Sequence, residues 1–268
     1  MLYKTLLIDQ FKELGLKAGD IIMLHASMRA IGEILGGPDQ VHQAMMECIQ
    51  PNGALMMYLG TEGEQVYYTL GRGDFSDIQQ AEILADCPIF DKNTARARRS
   101  HGVLAEFFRS WPGTTYSDNP GARMAAMGSQ AAWLVANHPL NYGYGPGSPL
   151  AKLYENDGQI LLLGSDLDQV TILHYAEHIA PIENKSLARF KFPLLKDGQR
   201  VWYDVEEFDT STGIKPWPDR FFAQILEQYL QTNSIKPKII GNAESYFISA
   251  KSLVDFAVPI FTAEANKY

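Results

Sequence analysis

Only two of the 268 residues are cysteine. Cys48 and Cys87 stand far apart, and neither belongs to a Cys-x-x-Cys pair or a Cys/His cluster, so neither a disulfide framework nor a structural zinc site organises the chain. Both read as buried small apolar side chains. No apolar run approaches the roughly 20 residues that span a bilayer. The opening stretch MLYKTLLIDQFKELGL places charges where the apolar core of a signal peptide would lie, which gives the expectation of a cytoplasmic protein without a membrane anchor. A basic excess is lacking as well. The 31 acidic against 23 basic side chains leave a formal net charge of −8, which argues against nucleic acid as a partner and suits a cationic small molecule. There is no Gly-x-Gly-x-x-Gly, no Walker lysine behind a glycine-rich turn and no Gly-x-Ser-x-Gly elbow. Dinucleotide binding, nucleotide hydrolysis and serine-hydrolase chemistry therefore lose support.

What is present is an α/β rhythm. Leu6, Leu7, Phe11 and Leu14 recur at helical spacing and stop at Gly15, where a left-handed cap is easily adopted. Residues 21–24 form a short apolar run, 41–49 a second helical stretch, and 54–59 a second strand after the turn Pro51-Asn52-Gly53. Residues 60–100 are polar and poorly periodic and read as a long loop that shapes a site. Helical patterning returns over 102–111, 129–137 and 148–154, and a strand over 159–163 ends at Gly164. Two strands, 187–195 and 200–208, flank Asp197-Gly198, a pair suited to a tight hairpin turn. Helices over 219–232 and 250–262 close the chain. The fold class expected is α/β, a mixed central sheet flanked by helices, in one domain over 1–268.

Three constellations carry chemistry. In Thr171-Ile172-Leu173-His174-Tyr175-Ala176-Glu177-His178, helical spacing gathers His174, Glu177 and His178 on one face behind the 159–163 strand. Strand ends of open α/β sheets are where ligands bind. A carboxylate beside His174 would fix its tautomer and raise its basicity, as a general base requires. The same octet also spells His-x-x-Glu-His, an inverted zinc-protease pattern that with Glu244 as third ligand would make a metallohydrolase. The second constellation, His25-Ala26-Ser27-Met28-Arg29-Ala30-Ile31-Gly32, is a strand end turning through small residues, able to aim backbone N–H groups at a phosphate. The third is basic: Arg96, Arg98 and Arg99 precede Ser100-His101-Gly102-Val103 and a helical pattern, a setting for coenzyme phosphates. The polar turn Tyr116-Ser117-Asp118-Asn119-Pro120 is a further candidate wall of that groove.

Six segments in order, LHASMRAIG at 24–32, EFFRSWPG at 106–113, MAAMGSQAAWLV at 124–135, GPGSPLAKLYENDGQILLLG at 145–164, TILHYAEHIA at 171–180 and IGNAESYFISAKSLVDFA at 240–257, resemble the aminoglycoside 3-N-acetyltransferases over nearly the whole chain. The resemblance implies that family's own antibiotic N-acetyltransferase type of α/β fold. That fold is distinct from the common acetyltransferase fold with its Gln/Arg-x-x-Gly-x-Gly/Ala loop, which this chain lacks. It implies a transferase that uses acetyl-CoA as co-substrate and no metal, acetylates the 3-amino group of aminoglycosides and so confers antibiotic resistance. Carried over by position, His174 is the base and Glu177 its orienting carboxylate. Ser27, Met28, Arg29, Ala30, Ile31, His101, Gly102 and Val103 would hold coenzyme A, joined by Arg99, Ser117 and Asn119, and His178 is left to packing. Glu62, Glu64, Asp168 and Asp209 are the carboxylates nominated for the ammonium groups of the sugar. One departure is visible: where family members usually show a His-Pro pair, this chain reads Asn119-Pro120, so no imidazole can act there. The alternatives are an acetyltransferase of the same fold acting on a different amine, the metallohydrolase, and a non-catalytic binding module.

Overall fold

In the computed structural model, which describes residues 1–63, 70, 75–210 and 213–267, the short apolar runs form a seven-stranded mixed sheet. Its strands are β1 (Ile21–Ala26), β2 (Ala54–Tyr58), β3 (Thr115–Tyr116), β4 (Met124–Gly128), β5 (Gln159–Leu163), β8 (Lys238–Ile240) and β9 (Ala243–Ser249). They lie in the order β3-β4-β2-β1-β5-β9-β8. The three middle strands β2, β1 and β5 are parallel, while β4 and β9 flank them antiparallel. Parallel strands are covered on both faces, which is why β1 and β5 read as continuous apolar runs rather than as alternation.

The period of two then sorts side chains between two helical layers. Ile22 and Leu24 face α1 (Lys4–Leu14), α3 (Asp39–Ile49) and α5 (Val103–Ser110), whereas Ile21 and Met23 face the other layer. That layer comprises α6 (Ala131–Val135), α7 (Pro149–Glu155), α8 (Ile172–Ile179), α9 (Phe221–Thr232) and α10 (Ala250–Ala265). The short α2 (Met28–Ile31) follows β1 directly. A fully buried core side chain such as Leu173 of α8 contributes about 1.5–3 kcal/mol by leaving water. Strands β6 (Leu187–Lys196) and β7 (Gln199–Phe208) form a separate hairpin whose turn residues Asp197 and Gly198 both have positive φ, as anticipated from the Asp-Gly pair. Its apolar residues Phe190, Phe192 and Val205 form a small cluster with Cys87. No helix among the described residues is long and apolar enough to cross a membrane.

Two sequence expectations need correction. The segment 60–100 is not all loop: α4 (Asp77–Asp86) lies within it, started by a reciprocal capping box between Ser76 and Gln79. None of its residues is buried, so it has no apolar stripe to read. Strands β4 and β9 also went unrecognised: MAAMG is rich in Ala, a weak strand former, and in AESYFIS the short run Tyr246-Phe247-Ile248 leads straight into the helix at Ala250 without a turn signal.

Candidate active site

The carboxyl ends of β1 and β2 and the start of α8 open into a cleft of about 320 Å³, with His25 and Ala26, Met57 and Tyr58, and Thr171 and His174 in its lining. α8 opens at Thr171, whose carbonyl accepts the N–H of His174, and it stops before Pro181, which disfavours continuation. Three side chains then leave it in different directions. His174, 26% exposed at its side chain, faces the cleft between the rings of Tyr144 and Phe222, at centroid distances of 4.9 and 4.8 Å. Glu177 is buried. Its Oε2 lies 2.9 Å from His174 Nδ1 and its Oε1 accepts the indole N–H of Trp217 at 2.7 Å. An ionised carboxylate accepts only, so this geometry places the proton of His174 on Nδ1 and leaves Nε2 as a lone-pair acceptor toward the cleft. Among the described residues nothing engages that nitrogen. The arrangement can remove a proton from a bound nucleophile and hold the resulting imidazolium.

His178 turns away from the cleft. Its Nδ1 donates to the His174 carbonyl at 2.7 Å and its Nε2 meets Glu207 Oε1 of β7 at 2.7 Å. Glu207 also accepts the N–H groups of Gly143 and Phe208, so this buried contact ties the hairpin to the back of α8. A metal shared by His174 and His178 would need both rings aimed at one point. They are not, and Glu244 is exposed on β9; among the described residues no group of three His, Cys, Asp or Glu could hold a metal ion. The inverted-zincin reading therefore loses its ligand set.

Beside the cleft lies a second groove of about 480 Å³, lined by Arg96, Arg98, Arg99, Gly102, Val103 and Glu62 among others; Arg98 lines both cavities. The arginine-bearing segment is held from two sides. Glu106 of α5 accepts the Ala97 N–H at 2.8 Å and the guanidinium groups of Arg96 and Arg109 at 2.7 and 2.6 Å. Burial alone would raise the Glu106 carboxyl, but the hydrogen bonds from Arg109, Ala97 and Arg96 outweigh it and hold it at about 2. From below, the fully buried Arg123 donates to the carbonyls of Ala95 and Lys92 at 2.8 and 2.6 Å. A histidine on the first turn of α8 and an arginine-lined groove beside its cleft give an arrangement that could serve two substrates.

The comparisons agree with that geometry. The family model for aminoglycoside 3-N-acetyltransferases matches residues 23–262. The chain belongs to this family. It is 43% identical over 252 residues to aminoglycoside N(3)-acetyltransferase III of Pseudomonas aeruginosa, covering 94% of this chain and 90% of that protein. Its structure superimposes on that of AAC-IIIb with CoASH with a TM-score of 0.90, at 38% identity and over 98% and 97% of the two chains. AAC-VIa bound to sisomicin gives 0.90 as well, at 34% identity and over 98% of each chain. The fold expected from the resemblance, with its mixed sheet between helical layers, is the one observed.

Within this family frame, the residues named from sequence divide sharply. His174, Glu177, His101 and Asp168 meet at or beside the cleft, and Arg99, Gly102 and Val103 line the basic groove. Met28, Arg29 and Ala30 are at least partly exposed in α2, where Ser27 caps the helix by accepting the Ala30 N–H at 3.4 Å. Ile31 is a correction: its side chain is fully buried in the core and cannot reach a ligand. Ser117 and Asn119 are corrections too. Ser117 is buried with its Oγ accepting the Met124 N–H, and Asn119 accepts the N–H groups of Gly121 and Ala122 while donating to the Pro139 carbonyl, so both are interior turn supports. Glu62 is turned to the wrong cavity, because its carboxylate accepts the Arg99 N–H at 3.0 Å and faces Arg99 Nε at 3.2 Å. Asp209, at the end of β7, is not among the residues lining the cleft, and Glu64 lies outside the described residues. Sequence reasoning missed Tyr58, Tyr144, Trp217 and Phe222. They come from three separate stretches of the chain, and only the fold brings them to the cleft and to the His174–Glu177 pair.

Proposed function

We propose that this protein transfers the acetyl group of acetyl-CoA to the 3-amino group of aminoglycosides, and so confers resistance to them in the cytoplasm where acetyl-CoA is supplied. The observation that carries this reading is the His174–Glu177 contact of 2.9 Å at the mouth of a cleft that adjoins an arginine-lined groove. The family relationship supports it.

In this reading the phosphates of acetyl-CoA lie along Arg99 and the N-terminal turn at Gly102 and Val103, with Met28, Arg29 and Ala30 and the backbone at Ser27 on the adjoining wall. The thioester reaches the cleft past His101. The amine nitrogen attacks the thioester carbon, and its surplus proton passes to His174 Nε2. As the tetrahedral intermediate collapses, the carbon–sulfur bond breaks and the coenzyme thiolate takes that proton. Glu177 holds His174 in the accepting tautomer before the step and faces a cation after it. Asp168, which lines the cleft and whose Oδ1 accepts the Ala223 N–H at 3.0 Å, is held in place to receive a ring ammonium group.

The test is thiol release from acetyl-CoA with a panel of aminoglycosides, with and without chelator, and location of the acetyl group in the product. Release with chelator present and acetylation at the 3-amino nitrogen is the expected result. Acetylation only of unrelated amines would assign the same site a different substrate.

A further inference from the structure

Glu177 can orient His174 only while its own carboxylate is held. Among the described residues each of its oxygens has one hydrogen-bond partner: Oε2 meets His174 Nδ1 at 2.9 Å, and Oε1 accepts the indole N–H of Trp217 at 2.7 Å. An indole nitrogen can only donate, so the sense of the second bond is fixed by chemistry. The terminal torsion of a glutamate is broad, and a carboxylate held by His174 alone could turn about it. The indole removes that freedom.

The chain around Trp217 is built to hold the indole still. It reads Pro216-Trp217-Pro218; each proline fixes its own φ and restricts the residue before it, so the backbone on both sides of the indole has little play. The turn leading to it starts at Gly213, with φ +89°, where a Cβ would come within 2.3 Å of the Lys215 carbonyl oxygen and 3.1 Å of the Trp217 ring. Buried Ile214 anchors that turn through its carbonyl, which accepts the Ser186 N–H at 3.0 Å. The indole ring packs against Phe221 and against Phe261 of α10, at centroid distances of 5.3 and 5.4 Å. The same stretch then reaches the cleft itself. Phe222 lies against His174 at 4.8 Å, and the Ala223 N–H binds Asp168 Oδ1 at 3.0 Å. Between them and Trp217, Arg220 grips Asp166 with both terminal nitrogens, at 2.7 and 3.1 Å. Residues 217–223 thus touch the orienting carboxylate, the base and the loop that presents Asp168.

We propose that Trp217 is a positioning residue for acetyl transfer: its N–H holds Glu177 so that Oε2 stays on His174 Nδ1, and residues 217–223 tie that alignment to Asp168 on the acceptor side. This deepens the acetyl-transfer reading and rests on it. Trp217 is not in the lining of the cleft and acts through Glu177. Its effect is largest once the proton has passed to His174, because rotation of the carboxylate would then lengthen its contact with a full imidazolium. Turnover, not coenzyme binding, is the quantity it controls.

Trp217→Phe deletes the donor and keeps an aromatic ring against Phe221 and Phe261. Its kcat for thiol release with an aminoglycoside should fall about 10- to 10²-fold, the scale of misplacing a catalytic group, while affinity for CoASH stays within about threefold of the parent. The loss should vanish where there is no carboxylate to position: in Glu177→Ala, adding Trp217→Phe should change kcat by less than about twofold. A merely structural role would slow both backgrounds alike. The contact also has a signature of its own. Among the four tryptophans, the indole proton resonance that disappears in Trp217→Phe should lie downfield, as for a donor to a carboxylate, and should move upfield in Glu177→Ala. Turnover of Trp217→Phe within about twofold of the parent, an equal loss in both backgrounds, or an indole resonance indifferent to Glu177→Ala would overturn this proposal and leave His174 as base untouched. No thiol release by the parent with any aminoglycoside would overturn the acetyl-transfer reading and this proposal together.

Discussion

Replacing Glu177 with Gln changes one atom and should disable the site. The carboxylate accepts two donors, His174 Nδ1–H at 2.9 Å and Trp217 Nε1–H at 2.7 Å, whereas an amide offers one acceptor and one donor. If its oxygen stays on His174, the amide NH₂ confronts the indole N–H. If it flips, the NH₂ faces Nδ1, the ring proton moves to Nε2, and the base is lost. The charge matters independently. An imidazolium and a carboxylate about 4 Å apart between charge centres attract by about 4 kcal/mol at an effective dielectric of 20. Losing that in the transition state corresponds to about 10³-fold in rate. Turnover measured by thiol release should therefore fall about 10³- to 10⁴-fold, the upper figure including the tautomer penalty seen when a triad carboxylate becomes an amide. Affinity for CoASH should be little changed. The geometry adds a signature: removing the indole donor in Glu177→Gln/Trp217→Phe lets the amide keep its oxygen on His174, so the double variant should be faster than Glu177→Gln alone. Turnover of Glu177→Gln within about tenfold of the parent, or a double variant slower still, would refute the reasoning.

Further outcomes follow from the surrounding contacts. His178→Ala should lose about 1–3 kcal/mol of stability in urea unfolding, because buried Glu207 loses one of its three partners while keeping the Gly143 and Phe208 N–H groups, yet turn over within about tenfold of the parent; a loss of turnover matching that of a His174 variant would return His178 to the chemistry. Arg99→Ala should raise the KM for acetyl-CoA more than it lowers kcat, since its exposed guanidinium lines the groove remote from His174; an unchanged KM would reduce the arginine to its surface pair with Glu62. Acid should destabilise the fold through His42 and His138, whose rings burial lowers from 6.5 to about 4. Between those values the unfolded chain binds protons that the folded chain refuses. Stability is therefore fully present above about pH 6.5 and declines as pH falls toward 4, by up to about 1.4 kcal/mol per pH unit for each ring. A urea midpoint that stays flat from pH 6.5 to 4.5 would contradict this.

The sequence was most legible where one period governed a segment. β5 and the C-terminal limits of α1 and α3 follow from apolar runs and the turns that end them, and the i, i+3 spacing of His174 and Glu177 became a hydrogen bond because a helix imposes it. It was least legible where burial was decided by distant partners. β4 is a strand because the sheet encloses it, and α4 left no stripe because it buries nothing. In the site, residues named at the ends of elements lie at the cleft or the groove more often than the polar residues named in turns. Ser117 and Asn119 look like ligand contacts in a one-dimensional reading, but their backbone needs them. Glu62 was assigned to the acceptor on charge alone, and its position beside Arg99 could not be read without the fold. Trp217, 40 residues beyond Glu177, carried no signal of its role.

The most direct test of the account is the His174→Ala variant, assayed for single-turnover thiol release and, separately, for binding of CoASH and of an aminoglycoside. The rate should fall by about 10²- to 10⁴-fold or more and partly recover as pH rises and more of the free amine is deprotonated, with both ligands still bound. Near-parent turnover, or loss of ligand binding in step with the rate, would contradict His174 as the base.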